Sequence, residues 1–291
     1  MEFSEITEKE FETLPHGEME YAGSVYESVM DEEAFDLLCE LCDYSYEGWF
    51  NGVYQELSLK RHVAARYKNN PQFKKVLARV YEHMIACGDV GACCNLANMF
   101  HDTSSQGSAE DYAKAIELYN LGGSRGDVQS VINLAYIYYY GRGVARDYAR
   151  AYELYARAAL LGGEPEAYWK LGDLYASGKF VDKSDWCAYK LYSKAYKKAG
   201  DSPLKARGAH HMADYLLYGI GGMLEPDPDE ALRLYNEAEI GYYELIDSGL
   251  TYYQRQLEQA IAGQAEARQA AQEKHRRIRN GEQDDLILRR S

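Results

Sequence analysis

A five-residue pattern recurs four times in the middle of the chain. It reads AIELY from Ala115, AYELY from Ala151, AYKLY from Ala188 and ALRLY from Ala231, with spacings of 36, 37 and 43 residues. A second set of similar segments precedes these four: NLANMF, NLAYIY, KLGDLY and HMADYL, around Leu96, Leu134, Leu171 and Met212. Self-similarity at a period of roughly 20 to 50 residues is typical of repeat architectures. The sequence therefore predicts four repeated units.

The apolar residues of each unit are spaced as they are on helices. In the second unit, Leu134, Ala135 and Tyr138 would share one face of a first helix, and Ala151 and Tyr155 would share one face of a second. A single helical hairpin cannot bury its apolar stripe alone, so neighbouring hairpins must stack. The sequence predicts an all-α fold, a right-handed α-solenoid (superhelix) of stacked helical hairpins.

The turn within the second unit carries its own signals. Gly141 and Gly143 are expected to end the first helix, and Asp147 is placed to cap the second. Repeated tyrosines are interpreted as core residues between the units, and they are Tyr119, Tyr155, Tyr192 and Tyr235 on the second helices, with Tyr138 and Tyr175 on the first helices.

The combination of L-x-x-x-Y-x-x-G, G-x-G-V-x-x-D and A-x-x-L-Y-x-x-A-A, followed by Gly, resembles the Sel-one-like repeat family of the tetratricopeptide-like superfamily. The resemblance covers about residues 88–249 as four units. The third unit lacks the second turn glycine and has Phe180 where valine is expected; the fourth has Met212 and Leu216 in place of Leu and Tyr. Members of this family look like adaptors, so the resemblance implies a non-enzymatic scaffold that binds a protein or peptide, without a cofactor or metal.

The remaining segments flank this array. Residues 1–30 form an acidic N-terminal segment, and residues 31–87 are interpreted as capping helices or a degenerate repeat. Residues 250–291 predict a long C-terminal helix and a tail. The apolar face of this helix would hold Tyr253, Leu257 and Ile261, its first half capping the array. Its second half is either a solvated extension or a helix that pairs with a partner or with a second copy of the chain.

In the tetratricopeptide superfamily the first helices line the concave groove, and the resemblance implies a binding surface in the same place. The positions expected to face the groove lie one before, two after, and five or six after the repeated leucine. They select Asn95, Asn98, His101, Asn133, Tyr136, Tyr139, Tyr140, Lys170, Asp173, His211, Asp214 and Tyr218. Trp169 is expected just behind them.

Three uses of this groove are distinguished. Asparagines on successive repeats can bond the backbone of an extended peptide, and Asn98, Asn133 and Lys170 partly resemble a clamp for a C-terminal carboxylate. Two basic positions of that clamp hold Cys94 and Glu166 instead. The alternative is an enzyme or receptor with a small-molecule, hydrolase-like pocket, which convergent His211, Asp173 and Lys170 would favour. In a third reading, the acidic segment or the C-terminal helix occupies the groove.

The charge distribution and the cysteines argue against nucleic-acid binding, membrane binding and a metal site. The net charge is −14, and residues 1–50 hold fifteen acids and one base, so the rest of the chain is balanced. Such an acidic segment repels phosphate backbones and anionic lipids, so neither a nucleic acid nor a membrane is an expected partner. The six cysteines recur at no fixed position, and Cys39, Cys42, Cys93 and Cys94 are interpreted as small buried residues rather than metal ligands. A cytoplasmic protein without a signal peptide is expected.

Overall fold

A computed structural model of the chain describes residues 88–101 and 108–281, together with Ala78, Tyr81, Glu82, Ile85 and Ala86. The predictions for residues 1–30, for nearly all of residues 31–87 and for the tail beyond Gly281 lie outside the described residues. The chain divides into two compact units, Met1–Arg146 and Asp147–Ser291. We call these two parts of the chain the first and second units, and the four similar segments are called repeats.

The described residues form nine α-helices, and their only β structure is an isolated bridge between Ile220 and Leu224. The first unit contains α1 (Gly91–Phe100), α2 (Ala109–Ser124) and α3 (Val128–Tyr140). The second contains α4 (Tyr148–Leu161), α5 (Pro165–Ser177), α6 (Asp185–Ala199), α7 (Lys205–Tyr218), α8 (Pro228–Asp247), a 3-10 turn (Thr251–Tyr253) and α9 (Gln254–Arg279). Within each unit every helix packs on the next one along the chain. The prediction of an all-α solenoid of helical repeats is confirmed.

The repeated pattern forms the core. The alanines that open the four AxxLY segments, Ala115, Ala151, Ala188 and Ala231, are fully buried. The tyrosines that close these segments, Tyr119, Tyr155, Tyr192 and Tyr235, are at most 2% exposed, which confirms that they are core residues. Tyr138 and Tyr175 are only half-buried, so they are less buried than the four second-helix tyrosines, contrary to the prediction.

The helices start where the sequence provides caps. The Asp147 side chain accepts a hydrogen bond from the backbone N–H of Arg150 at 2.9 Å, as predicted. Ser108, Asp127, Ser184 and Asp227 cap α2, α3, α6 and α8 in the same manner. Each cap satisfies a backbone donor that the first helical turn leaves unpaired.

The turn after α3 requires glycine. Gly141 ends the helix at φ 69°, as predicted, and Gly143 has φ 66°. A Cβ added at Gly143 would lie 2.2 Å from the Cβ of Tyr112. The third repeat departs from this pattern differently from the sequence prediction. Phe180, at φ 69°, stands in the place of the second glycine rather than of the valine, and Val181 keeps the valine position.

The C-terminal helix packs on its own chain along most of its length. Its buried positions are Leu257, Ala260, Gln264, Ala267 and Ala271, while Ile261 is 40% exposed. Near its end, Lys274 pairs with Asp229 at 2.8 Å and His275 with the same carboxylate at 3.1 Å. The predicted face was therefore wrong at Ile261, and the second half of the helix is not a free extension. In the second half of the helix the buried apolar residues are alanines, and a search for large apolar residues does not detect them.

None of the helices formed by the described residues combines the length and apolar character that crossing a membrane requires.

We expect Gly143→Ala to lower the free energy of unfolding by at least about 2 kcal/mol, because a left-handed backbone and a clash with Tyr112 add together. Gly222→Ala is the matched control, since its φ is 71° and no atom lies within 4 Å of an added Cβ. The control should cost only about 1 kcal/mol of backbone strain. Chemical denaturation of both variants measures the difference, and equal losses would contradict the close packing at Gly143.

Candidate functional site

A hydrogen bond from a buried tyrosine recurs in three of the repeats. The hydroxyls of Tyr119, Tyr192 and Tyr235 donate to Asn98 at 2.6 Å, to Asp173 at 2.9 Å and to Asp214 at 2.6 Å, respectively. The three acceptors share the position two residues after the repeated first-helix leucine. Burial raises the pKa of all three hydroxyls, so they remain donors at neutral pH. The core thus holds three of the predicted groove residues in place.

In the first unit, two of the predicted asparagines meet. The Asn133 Nδ2 donates to Asn98 Oδ1 at 3.1 Å and lies 3.4 Å from the Cys94 Sγ. Asn98 is exposed and Asn133 is half-buried, whereas Cys94 is buried. We call Cys94, Asn98 and Asn133 the asparagine cluster. Burial raises the pKa of the Cys94 thiol to about 12, so Cys94 is a neutral thiol and not a thiolate ligand or nucleophile at neutral pH.

The other predicted residues of the first unit differ in exposure. Asn95 and Tyr136 are half-buried and Tyr140 is 43% exposed, and the Tyr136 and Tyr140 rings stack with their centroids 5.9 Å apart. His101 and Tyr139 are buried, so the expectation that they are exposed is wrong. The Nδ1 of His101 lies 3.4 Å from the Tyr119 hydroxyl and its Nε2 lies 3.0 Å from Arg142 NH1, which ties this imidazole to the core.

In the second unit, Asp173 is the centre of an ion network. Its Oδ2 lies 3.5 Å from Lys170 Nζ and 3.5 Å from Arg207 NH2. Burial raises the pKa of Asp173, but the charges of Lys170 and Arg207 more than offset it, so the pKa lies below its usual value. The Arg207 guanidinium also lies over the ring of Trp169, with its carbon 4.6 Å from the ring centroid. Asp173 is therefore ionised and neutralised within the fold.

Lys170 does not fit the predicted clamp. It is 4% exposed and pairs with Asp173 on its own helix, so the expectation that its ammonium faces a groove is wrong. The buried surface of α5 is wider than the repeated leucine and alanine suggest, and it includes Tyr168 and Trp169. The aliphatic part of Lys170 is buried next to them in the sequence for this reason.

A cavity of about 430 Å³ lies next to this network. We call it the acidic aromatic pocket, and its lining residues are Ala176, Asp185, Tyr192, His211, Asp214, Tyr215, Tyr218 and Gly219. Predicted groove residues His211, Asp214 and Tyr218 come together here. The His211 ring stacks on Tyr192 with centroids 4.4 Å apart, and Tyr218 is 69% exposed at the rim.

His211 and Asp214 form an imidazole–carboxylate pair in this pocket, with Nδ1 and Oδ2 3.6 Å apart. Burial raises the pKa of Asp214, but His211 and the hydrogen bond from Tyr235 contribute to an overall shift below its usual value. Asp214 is therefore a carboxylate at neutral pH.

His210 lies behind the pocket. It is buried, its Nδ1 is 3.1 Å from the Tyr242 hydroxyl, and its ring stacks with that of His211. Burial lowers the pKa of His210 to about 4, so its imidazole is neutral at physiological pH.

Sequence reasoning missed Arg207, Asp185 and Tyr215. Arg207 lies four residues before His211, so a helical spacing from the predicted groove positions could have found it. The hydroxyl of Tyr215 donates to Asp185 Oδ1 at 3.3 Å, and this contact joins α7 to the start of α6. No local pattern indicates it, because Asp185 lies 30 residues away in the chain.

The comparisons with known proteins identify the family. A model of the Sel1 repeat matches residues 90–127, 128–163, 165–199 and 206–239. The chain therefore belongs to the Sel1-repeat family, as the sequence resemblance predicted. No curated protein matches the chain.

Solved Sel1-repeat structures resemble the chain. One is a Sel1 repeat protein from Oxalobacter formigenes, 26% identical with a TM-score of 0.48, covering 68% of this chain and 79% of that one. Another is c5321, a protective antigen of uropathogenic Escherichia coli strains displaying an SLR fold, 21% identical with a TM-score of 0.49, covering 71% and 44%. A third is a Sel1 repeat protein from Klebsiella pneumoniae subsp. pneumoniae, 21% identical with a TM-score of 0.40, covering 67% and 89%. The family assignment depends on the repeat match.

Buried neutral His210 predicts a loss of stability in mild acid. The unfolded chain takes up a proton below its ordinary pKa of 6.5, whereas the folded chain resists protonation down to about 4. We expect the free energy of unfolding to fall by about 2 kcal/mol between about pH 7.5 and pH 5, in a window above the titration of ordinary carboxylates. Urea denaturation at both pH values measures this change. His210→Gln should flatten the dependence, and an unchanged slope in that variant would contradict the assignment.

Proposed function

We propose that this chain is a scaffold that binds an extended segment of a partner protein on the first-helix faces of its repeats. Sel1 repeats generally serve as protein–protein interaction modules, which supports this proposal. The observation that carries the proposal is the asparagine cluster, where two amides from successive first helices meet at the surface. An amide offers both donor and acceptor groups, so a pair of amides can bond a peptide backbone at its C=O and N–H.

The internal contacts of the cluster support this role. The Oδ1 of Asn98 accepts from Tyr119 and from Asn133, while its Nδ2 lies 3.8 Å from Cys94 Sγ, a weak contact. Thiols are poor acceptors, so the Asn98 Nδ2 gains by bonding a peptide carbonyl instead. The rigid helix and the Tyr119 hydrogen bond hold the amide in one orientation, which reduces the entropy lost on binding.

The test uses one substitution that keeps the bonds accepted by the Asn98 side-chain oxygen and one double substitution that removes them. Asn98→Asp retains the oxygen that accepts from Tyr119 and gives the first repeat the same residue type that Asp173 and Asp214 supply in the third and fourth. It removes the amide donor and adds a charge that repels peptide carbonyls. We expect partner proteins captured from lysate by the wild-type chain to be lost with Asn98→Asp and with Asn98→Ala/Asn133→Ala.

The control is Asn120→Ala/Tyr243→Ala, which removes an exposed amide and a 48% exposed ring from second helices. It should capture the same proteins as the wild type. Circular dichroism and thermal unfolding verify that each variant is folded. Capture that survives both asparagine variants, or that fails equally in the control, would contradict binding at this face.

A second candidate function is a hydrolase-like activity, favoured by the His211–Asp214 pair inside a cavity. The lining residues, all within the described part of the chain, include no serine, threonine or cysteine. The pair would therefore act as a general base on water rather than on a hydroxyl or thiol nucleophile of the pocket. The geometry of the pair is compatible with this chemistry. Among the other described lining side chains, only the tyrosine hydroxyls could donate a hydrogen bond to an oxyanion.

Hydrolysis of p-nitrophenyl acetate and p-nitrophenyl phosphate distinguishes the second candidate. Catalysis by His211 would give turnover in the wild-type chain that drops at least tenfold in His211→Gln, since general-base catalysis contributes roughly 100-fold or more. We expect hydrolysis in the presence of the wild-type chain or of His211→Gln to be no faster than in buffer alone, as for a binding module. Turnover that depends on His211 would favour the hydrolase instead.

A further inference from the structure

The acidic aromatic pocket combines carboxylates, aromatic rings and the imidazole of His211, and its described lining holds no lysine or arginine. Its lining contains Asp185 and Asp214 and the rings of Tyr192, Tyr215 and Tyr218. At the rim, the Tyr218 hydroxyl donates to Glu266 on α9, which brings a third carboxylate close. The pocket is therefore suited to a positively charged ligand with an apolar or planar body.

Cations around the pocket are already engaged in ion pairs. Lys170 and Arg207 both pair with Asp173 at 3.5 Å, and Lys183 pairs with Asp185 at 3.6 Å from a position that is 63% exposed. The Lys183 pair is solvent-exposed on both sides, so it is weak and readily exchanged. Asp214 pairs with the imidazoles of His210 and His211, and its Oδ1 accepts a hydrogen bond from Tyr235.

The same unit shows how this fold holds an arginine. The Arg207 guanidinium lies over the Trp169 ring and pairs with the Asp173 carboxylate. One helical turn further along α7, the pocket offers the same combination of partners. There, the rings of Tyr192 and Tyr215 have centroids 6.3 Å apart, and Asp214 supplies the carboxylate. His211 stacks on one side of Tyr192 and pairs with Asp214, and none of the described lining residues is an arginine.

We propose that the acidic aromatic pocket receives the guanidinium of an arginine side chain of the partner protein. The assignment rests on the proposed scaffold function and names the residue that the partner presents to the second unit. Guanidinium is planar, carries five donors in a fixed fork and stacks on aromatic rings, whereas a lysine ammonium is a more strongly hydrated point charge. The cavity of about 430 Å³ accommodates such a side chain.

Blocked amino acids test this site without the partner. The probes are N-acetyl-L-arginine amide, N-acetyl-L-citrulline amide, which has nearly the same shape but no charge, and N-acetyl-L-lysine amide. Each is titrated into the full chain while the NMR signals of the tyrosine and histidine rings are followed. We expect saturable shifts with the arginine probe, at least tenfold weaker binding of the citrulline probe, and weaker binding of the lysine probe.

Two variants locate the binding. Asp214→Asn keeps an oxygen that accepts from Tyr235 and removes the negative charge that pairs with His210 and His211, so arginine binding should fall at least tenfold. Circular dichroism and thermal unfolding verify that the variant is folded. Asp182→Asn is the matched control, because Asp182 is exposed, lies outside the lining and changes the net charge equally. Asp185→Asn provides a second pocket variant, with an oxygen to accept from Tyr215.

Equal binding of the arginine and citrulline probes would overturn the proposal, as would arginine binding that survives both pocket variants. Free L-arginine is titrated as a fourth probe, and tighter binding of this probe than of the blocked arginine would overturn the assignment to a partner's side chain. The probes need no partner, so failure here is distinct from failure of the scaffold function. Partner capture that depends on Asn98, without arginine binding, would refute the pocket alone.

Discussion

The hydroxyl of a buried second-helix tyrosine is the interaction on which the repeats depend. Tyr119, Tyr192 and Tyr235 fill the core with their rings, and each must find an acceptor because an unpaired buried hydroxyl is costly. Each finds it on the first helix of its own repeat, at one fixed position. The ring supplies apolar burial and the hydroxyl sets the register of one helix against the other.

The same bond joins the core to the proposed binding surface. The acceptor must be polar and lie near the surface, where it keeps further hydrogen-bonding capacity for a ligand. Asn98 leaves a neutral amide at this position, and Asp214 leaves a carboxylate. Repeats that share the core tyrosine therefore expose different chemistry at this position. In the proposed scaffold, variation here would change specificity while the tyrosine packing is retained, provided that the replacement still accepts a hydrogen bond.

The sequence predicted the helices of the repeats, the Asp147 cap and the core tyrosines of the second helices because these depend on contacts within one repeat. Its prediction of exposed positions was less accurate. First helices are buried over a broad arc, which includes Ile132 and Tyr139 on α3, since they pack against more than one neighbour. A single repeated leucine does not reveal the width of that arc. Lys170 adds a second reason, because the pairing with Asp173 that permits its burial depends on a carboxylate three residues away.

The acidic aromatic pocket was only half predictable. Periodicity placed His211, Asp214 and Tyr218 on one face of α7, but the contribution of Asp185 depends on how the start of α6 meets α7. Phe180 illustrates the opposite problem. The third repeat lacks the second turn glycine, yet its backbone keeps the left-handed conformation of Gly143 with a bulky residue in that place. Repeat geometry therefore overrides a local preference of the side chain.

Helix α9 determines how an array of this kind can grow. Gly263 lies so close to Tyr235 that an added Cβ would be 2.4 Å from the ring, and Gln264 bonds the Tyr235 carbonyl oxygen at 3.4 Å. The face of α8 on which another hairpin would stack is already covered. A unit appended after Asp247 would have to displace this helix, whereas duplication of an internal hairpin leaves the covered end unchanged. The length of such a protein can thus increase over evolution from within, while its last repeat remains last.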